Sequence, residues 1–319
     1  MKQFVSVHDL PDLGQALTEA RAFKQNPLLA AQAGAGKRVG LIFFNPSLRT
    51  RLSTQIAARN LGMDSIVLNA GQEGWQMEFA DGAVMNGQSV EHIIDAAGVM
   101  GQYFDILCVR TFPTLNDKVV DYGEQVISQF IRHSVVPVVS LESATLHPLQ
   151  SFADTITISE QMPVGRKPKV VLTWAPHIKA IPHCVANSFA QWMNHWEAVD
   201  LTITHPEGYE LDEQFTRGAH ITHNQAEALE GADFVYVKNW SSYHQYGSIL
   251  TDGNGWMLTE DSLRHAPEAR IMHCLPVRRE VELAGALLDS GRSLVQQQAG
   301  NRVWAAQTVF HNILKNIQA

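Results

Sequence analysis

At 319 residues the chain is too long for one typical hydrophobic core and is predicted to form two domains. Hydrophobic residues at 45% and charged residues at 18% exclude a disordered chain, and a net charge of −8 argues against nucleic acid or an anionic membrane surface as the main partner. A small anionic substrate stays open, because one local cluster of arginines can dominate its own pocket.

The first residues, Met1 to Phe4 followed by Ser6, His8 and Asp9, carry neither a basic region nor a long apolar run, so no secretory signal is expected. No apolar stretch is long enough to cross a bilayer. The three cysteines, Cys108, Cys184 and Cys274, are odd in number and widely spaced, which suits reduced thiols and a cytoplasmic protein better than a disulfide framework.

In chain order, residues 38–44 read as a buried strand and 52–61 as a helix that stops at Gly62, a natural residue for the left-handed position after a helix. Strands follow at 65–68, 106–110 and 135–140, with a helix at 91–103. The second half repeats the rhythm with strands at 169–174, 200–204, 233–237 and 270–273 and helices at 182–195 and 210–217. A last helix, 301–317, places Val303, Ala306, Phe310, Ile313 and Ile317 on one stripe. Short apolar strands alternating with helices predict an α/β fold with largely parallel sheets, broken between halves near residues 143–152.

Between the first strand and its helix lies Asn45-Pro46-Ser47-Leu48-Arg49-Thr50-Arg51. The first N–H groups of a helix lack internal partners and the helix dipole is positive there, so such a junction binds anions. Two readings are open: Ser47 caps the helix beside solvated arginines, or the segment holds a phosphate. The dipole disfavours cations at a helix start, so two guanidiniums in that turn favour the phosphate, whose oxygens an arginine fork can pair two at a time. Gly34-Ala35-Gly36-Lys37 is no nucleotide loop, because it precedes the strand and Arg38 replaces the required hydroxyl residue; it reads as a surface turn. His220 and His223 lack a third ligand of suitable spacing and read as surface histidines.

Further polar groups fall at the ends of predicted strands, where open α/β sheets bind ligands: Arg110, Glu142, His147-Pro148-Leu149-Gln150 and His273-Cys274-Leu275-Pro276-Val277-Arg278-Arg279. Each alone has a structural explanation. Together they resemble, over essentially the whole chain, the aspartate/ornithine transcarbamylase superfamily. Ser47 to Arg51 resembles its carbamoyl-phosphate motif, His147 to Gln150 its His-Pro-x-Gln motif, and His273 to Pro276 its His-Cys-Leu-Pro motif. Trp75, Val84-Met85-Asn86-Gly87 and Lys238-Asn239-Trp240 are similar to the branch that uses N-acylated ornithine. The Asp-x-x-x-Ser-Met-Gly motif of plain ornithine transcarbamylases is absent, and Val235 to Trp240 stands at the matching stretch.

The resemblance implies two doubly wound domains, 1–145 for carbamoyl phosphate and 146–300 for the acyl-ornithine, with 301–319 a helix returning to the first. It implies carbamoyl transfer from carbamoyl phosphate to the side-chain amine of an acyl-ornithine, as a step of arginine biosynthesis, without metal or redox cofactor. By the same resemblance Ser47, Leu48, Arg49, Thr50, Arg110 and a neighbouring subunit's Trp75 hold the phosphate. Thr50, Arg110, His147 and Arg302 stabilise the carbonyl oxygen, and Gln150 with the backbone near Cys274 and Leu275 holds the carbamoyl amide. Cys274 orients the amine, without forming a covalent bond, while Glu142, His177, Lys179, Lys238 and Arg278 meet the acyl-ornithine. Preorganised donors of this kind supply on the order of 3 kcal/mol each.

Acetyl users in the family carry a glutamate just before the Glu-His pair that is Glu91-His92 here, where this chain has Val90 and succinyl users have an apolar residue. The acetyl users' carboxylated lysine is replaced by Glu282. Removing an acid makes room for a second carboxylate, which favours N-succinylornithine as acceptor over N-acetylornithine. A Trp75 and Val90 loop that serves a neighbour implies a homotrimer. The reading from another class is a non-catalytic α/β protein that retains an anion pocket.

Overall fold

The computed structural model describes residues 1–317, so the last two residues of the expected 301–319 segment lie outside the described residues. It divides into two compact units. The first comprises Met1–Thr114, Val119–Leu149 and the chain from Arg302 onward; the second comprises Leu115–Lys118 and Gln150–Asn301. The chain thus changes unit inside two helices, Pro148–Glu160 and Val295–Ile317, a few residues later than the expected boundaries, and 115–118 groups with the second unit.

The first unit holds a five-stranded parallel sheet in the order β1-β7-β6-β2-β3. Its strands are β1 (Gln3–Phe4), β2 (Arg38–Phe43), β3 (Asp64–Asn69), β6 (Ile106–Arg110) and β7 (Val138–Glu142), and a separate parallel pair joins β4 (Met77–Glu78) to β5 (Glu91–His92). Helices cover the sheet, so β2, β6 and β7 are buried almost throughout and read as continuous apolar runs. One core layer packs Ile42, Leu107, Val109 and Val138 with Ile93, Ala97 and Phe130.

Helix Leu48–Asn60 starts four residues before the expected 52, because its first turn is polar or exposed and carries no apolar period. It ends as expected: Gly62 takes φ +79°, its N–H donates to Arg59 O at 3.0 Å and that of Met63 to Ala58 O at 3.0 Å. A Cβ on Gly62 would lie 2.4 Å from Ala31 O, so the position requires glycine. β7 lies downstream of the expected 135–140, beginning after Pro137, and runs on into buried Glu142. The expected 91–103 helix is divided: Glu91–His92 pairs as β5 and the helix is Ile93–Tyr103.

The second unit repeats the plan with β8 (Lys169–Trp174), β9 (Asp200–Thr204), β10 (His220–Thr222), β11 (Phe234–Lys238) and β12 (Arg270–Met272) in the order β10-β9-β8-β11-β12, all parallel. Its core joins Val171, Val235, Val237 and Ile271 to Leu229, Leu263 and Leu287. The helix expected at 182–195 is Cys184–His195, and the one expected at 210–217 is only Glu213–Thr216. Among the described residues no helix is long and apolar enough to cross a membrane.

In both sheets the strand order reverses at one place. The chain leaves β2 toward β3 and β6 toward β7 in opposite directions, and leaves β8 toward β9 and β11 toward β12 likewise. Such a reversal opens a crevice beyond the carboxyl ends of the two central strands, the standard ligand site of an open α/β sheet. The loops that flank the two crevices begin at Phe44 and Thr111 in one unit, and at Ala175 and Asn239 in the other.

Candidate active site

The crevice beyond β2 and β6 gathers the arginine-rich segment. Ser47 caps helix Leu48–Asn60 and its Oγ accepts from the Thr50 N–H at 3.3 Å. Leu48, Arg49 and Thr50 are therefore the first helical turn, whose N–H groups face away from any helical carbonyl. Thr50 is buried, and its Oγ1 lies 2.6 Å from Arg302 Nη2, reached from the other end of the chain.

Arg110 is fixed on three sides. Its Nη1 donates to Asn45 O at 3.0 Å and Pro46 O at 2.8 Å, and its Nη2 to Glu142 Oε2 at 2.7 Å. Its guanidinium carbon sits 4.3 Å from the centre of the Phe112 ring. A register shift between Val109 and Arg110 puts Arg110 opposite Glu142 on β7. His147 Nε2 lies 3.4 Å from the same Glu142 oxygen. Burial first, then the charges of Arg302, Arg110 and Arg49, push the His147 imidazole well below its ordinary value, so it is neutral at pH 7.

Arg49 Nε, Arg110 Nε and His147 Nδ1 are buried yet meet no hydrogen-bond partner among the described residues. Buried donors ordinarily find acceptors. A donor-rich crevice at a helix start, with two guanidinium N–H groups left over, fits an anion with several oxygens.

One support of this half escapes the sequence. Glu124 takes a left-handed φ of +50° and accepts from Ser143 Oγ at 2.6 Å, Thr145 N at 2.7 Å and Ala144 N at 3.2 Å. It thereby sets the loop that delivers His147, and those bonds offset the backbone strain. Glu142, expected to meet the acyl-ornithine, lies in the first unit and accepts from Arg110 Nη2 at 2.7 Å. Trp75 and Val90 are exposed on adjoining segments, linked by Val90 N to Gln76 O at 2.9 Å and Trp75 Nε1 to Glu91 Oε2 at 2.7 Å.

In the second unit the crevice residues form another set. Asn239 Nδ2 donates to Ala175 O at 2.6 Å and Ala175 N to Lys238 O at 3.1 Å, clamping the ends of β8 and β11. Arg278 Nε donates to His177 Nε2 at 3.0 Å, and His177 Nδ1 lies 3.0 Å from both the Lys179 N–H and the Lys179 carbonyl oxygen. Burial leads in holding His177 below its ordinary value. Lys179 is exposed and meets His177 through its backbone.

Glu282 is buried beneath this set, accepting from Arg278 N at 2.7 Å and lying 3.5 Å from His273 Nε2. Burial alone would raise its carboxyl; His273, Lys238 and the Arg278 N–H overcome that and hold it at about 2. A fixed anion thus stands beside the Lys238 cation.

Cys274 and Leu275 follow β12. Leu275 takes φ +57°, and its N–H donates to His273 Nδ1 at 2.9 Å. The His273 N–H donates to Gln298 Oε1 at 2.9 Å, and Gln298 and Gln150 both donate to Asp154 Oδ1 at 2.7 Å. Asp154 is thus the buried hub that fixes Gln150 and, through Gln298, the Cys274 loop. Burial, then Asp154 and Cys274, push the Tyr236 phenol well above its ordinary value, so it stays neutral beside both.

Residues 2–160 match the aspartate/ornithine carbamoyltransferase carbamoyl-P binding domain, and residues 183–313 the Asp/Orn binding domain of the same enzymes. An N-succinylornithine carbamoyltransferase of Bacteroides fragilis (strain 638R) is 46% identical over 99% of this chain and 100% of its own length. An N-acetylornithine carbamoyltransferase of Xylella fastidiosa (strain Temecula1) is 34% identical over 97% of this chain and 98% of its own. Among solved structures, a glutamate-to-valine mutant of N-acetyl-L-ornithine transcarbamylase, complexed with carbamyl phosphate and N-succinyl-L-norvaline, superposes with a TM-score of 0.91 at 32% identity, covering 98% of this chain and 100% of that one. Both domain families, matched in chain order, coincide with the two sheets and their crevices: this chain belongs to the aspartate/ornithine carbamoyltransferase family.

Proposed function

We propose that the chain carbamoylates the side-chain amine of N-succinyl-L-ornithine with carbamoyl phosphate, releasing N-succinyl-L-citrulline and phosphate in arginine biosynthesis. The observation that carries the reading is the buried donor set of the first unit, with Arg49 Nε and Arg110 Nε unpartnered at the start of helix Leu48–Asn60. A phosphate dianion supplies acceptors for Ser47, the Leu48, Arg49 and Thr50 N–H groups, and both guanidiniums.

The amine nitrogen forms a bond to the carbonyl carbon, the bond from that carbon to the bridging oxygen breaks with its electrons leaving on phosphate, and the proton that nitrogen loses balances on the released phosphate. Negative charge builds on the carbonyl oxygen before the C–O bond breaks, and Thr50, Arg110, His147 and Arg302 stabilise it there. A neutral His147 serves as a hydrogen-bond donor to that oxygen, whereas a protonated one would add a fourth cation to three arginines. Gln150, Cys274 and Leu275 hold the carbamoyl amide and the amine, and Cys274 takes no covalent part. His177, Lys179, Lys238 and Arg278 meet the carboxylates of the acceptor.

Succinyl as the acyl group is supported by Val90, which leaves no acid at a position where the family's acetyl users carry one. It is supported too by the solved mutant in which valine replaces a glutamate and a succinyl amino acid is bound. Self-association as a homotrimer is supported by Trp75 and Val90, both exposed, and by Leu48, Leu52 and Ile56, an apolar stripe left exposed along the helix that begins the site. Three cysteines outside any disulfide suit a cytoplasmic protein.

Initial rates with carbamoyl phosphate and, in turn, N-succinyl-L-ornithine, N-acetyl-L-ornithine, L-ornithine and L-aspartate test the reading. The expected result is a kcat/KM for the succinyl acceptor at least about tenfold above every other. A preference for the acetyl acceptor overturns the acyl assignment, and tight carbamoyl-phosphate binding without product overturns catalysis itself.

A further inference from the structure

The register of the second sheet brings together residues that lie far apart in sequence. Thr204 of β9 pairs with Thr222 of β10, so the next residues, His205 and His223, leave the sheet side by side with ring centres 5.0 Å apart. Glu210 reaches the same point from the loop that follows β9, and one ligating atom from each of the three lies within 4.8 Å of the others. His220, the nearer partner of His223 in sequence, takes no part, which is why spacing alone missed the group.

Both imidazoles are already oriented. His205 Nδ1 lies 2.8 Å from Pro206 O, and His223 Nδ1 lies 3.0 Å from His205 O. A carbonyl only accepts, so each Nδ1 carries the proton and each Nε2 keeps its lone pair. Metal-binding histidines are held by this kind of N–H to carbonyl bond, which fixes tautomer and ring direction. His205 is buried, Glu210 half-buried and His223 exposed, which gives an ion both a fixed floor and a path from solvent.

The loop between them is held as well. Trp240 Nε1 donates to Tyr209 O at 2.7 Å, and the Tyr209 hydroxyl accepts from Leu250 N at 2.6 Å and Thr251 N at 3.2 Å. We propose that His205, Glu210 and His223 form a binding site for one divalent transition ion of the Zn2+ class, which braces the loops after β9 and β10. Two imidazoles and one carboxylate suit Zn2+, Co2+ or Ni2+ and not Mg2+ or Ca2+, which take oxygen ligands. Metal–ligand bonds of about 2.1 Å place tetrahedral ligands about 3.4 Å apart, so the approach needed is small and falls to the Glu210 chain and exposed His223. Water completes the coordination.

The test uses the untagged full-length chain, stripped with a chelator, titrated calorimetrically with ZnCl2 and spectroscopically with CoCl2. Saturation at one ion per chain, a Co2+ visible band of tetrahedral intensity and a rise in Tm with Zn2+ are expected. His223→Gln, an exposed change that leaves the fold intact, and Glu210→Gln should each weaken binding at least about tenfold and abolish the rise in Tm. Cys274→Ser should bind as the parent does. Absence of saturable binding, unchanged binding in both His223→Gln and Glu210→Gln, or loss of binding in Cys274→Ser would each overturn the proposal.

Discussion

Two single residues carry sharp consequences. Val90 is exposed and its backbone N–H donates to Gln76 O, so replacing its side chain tests specificity without disturbing a core. Val90→Glu should lower turnover of the succinyl acceptor relative to the acetyl one by more than a single methylene is worth, on the order of several kcal/mol, because a carboxylate would face a carboxylate. An unchanged ratio in paired rate measurements removes position 90 from the acyl site. Glu282 governs acid stability. Its carboxyl stands at about 2 against an ordinary 4.5, so it binds fewer protons folded than unfolded near pH 4. The stabilisation it gives is present in full above the ordinary value and is lost as pH falls through about 2. Glu282→Gln should therefore be less stable than the parent at neutral pH and show a shallower loss of stability between pH 4.5 and 2 in denaturant titrations. Equal acid slopes would show that the carboxyl titrates alike in both states.

At the scale of elements, the phosphate site is one strand, one cap and one helical turn. Ser47→Ala removes the oxygen that accepts the Thr50 N–H, which should cost about 1 kcal/mol of stability and weaken carbamoyl-phosphate binding together. Thermal unfolding and direct titration measure the two; a loss of stability without a loss of affinity would confine Ser47 to the cap. This junction is legible because β2 is buried on both faces and its apolar run ends abruptly in Asn45-Pro46-Ser47, with Arg49 and Arg51 just beyond. Helix Pro148–Glu160 was not legible beyond its first residues: it is buried nearly all round, so no apolar period marks it, and its Gln150, Ser151, Asp154 and Thr155 look like loop residues. Asp154 escaped for that reason, although it fixes Gln150 and Gln298. For helix Val295–Ile317 the apolar stripe marks a start six residues late on the same grounds, because its early turns bury Gln298 and Asn301 in place of aliphatics. Glu124 and the His205, Glu210 and His223 group depend on chain segments that only the fold brings together.

For the whole molecule, the assembly proposed above predicts complementation. Trp75→Ala should fold yet turn over slowly, Arg49→Ala should be nearly inactive, and mixtures refolded together should recover activity at hybrid sites that draw an intact Arg49 and an intact Trp75 from different subunits. Mixtures no more active than their parts would show that Trp75 serves its own chain. The account as a whole depends on where carbamoyl phosphate sits, and a crystal structure with carbamoyl phosphate and N-succinyl-L-norvaline measures that directly. It should place the phosphate oxygens within hydrogen-bond distance of the Leu48, Arg49 and Thr50 N–H groups and the Arg49 and Arg110 guanidiniums, with the carbonyl oxygen toward His147 and Arg302. A phosphate bound away from Arg49 and Arg110 would contradict it.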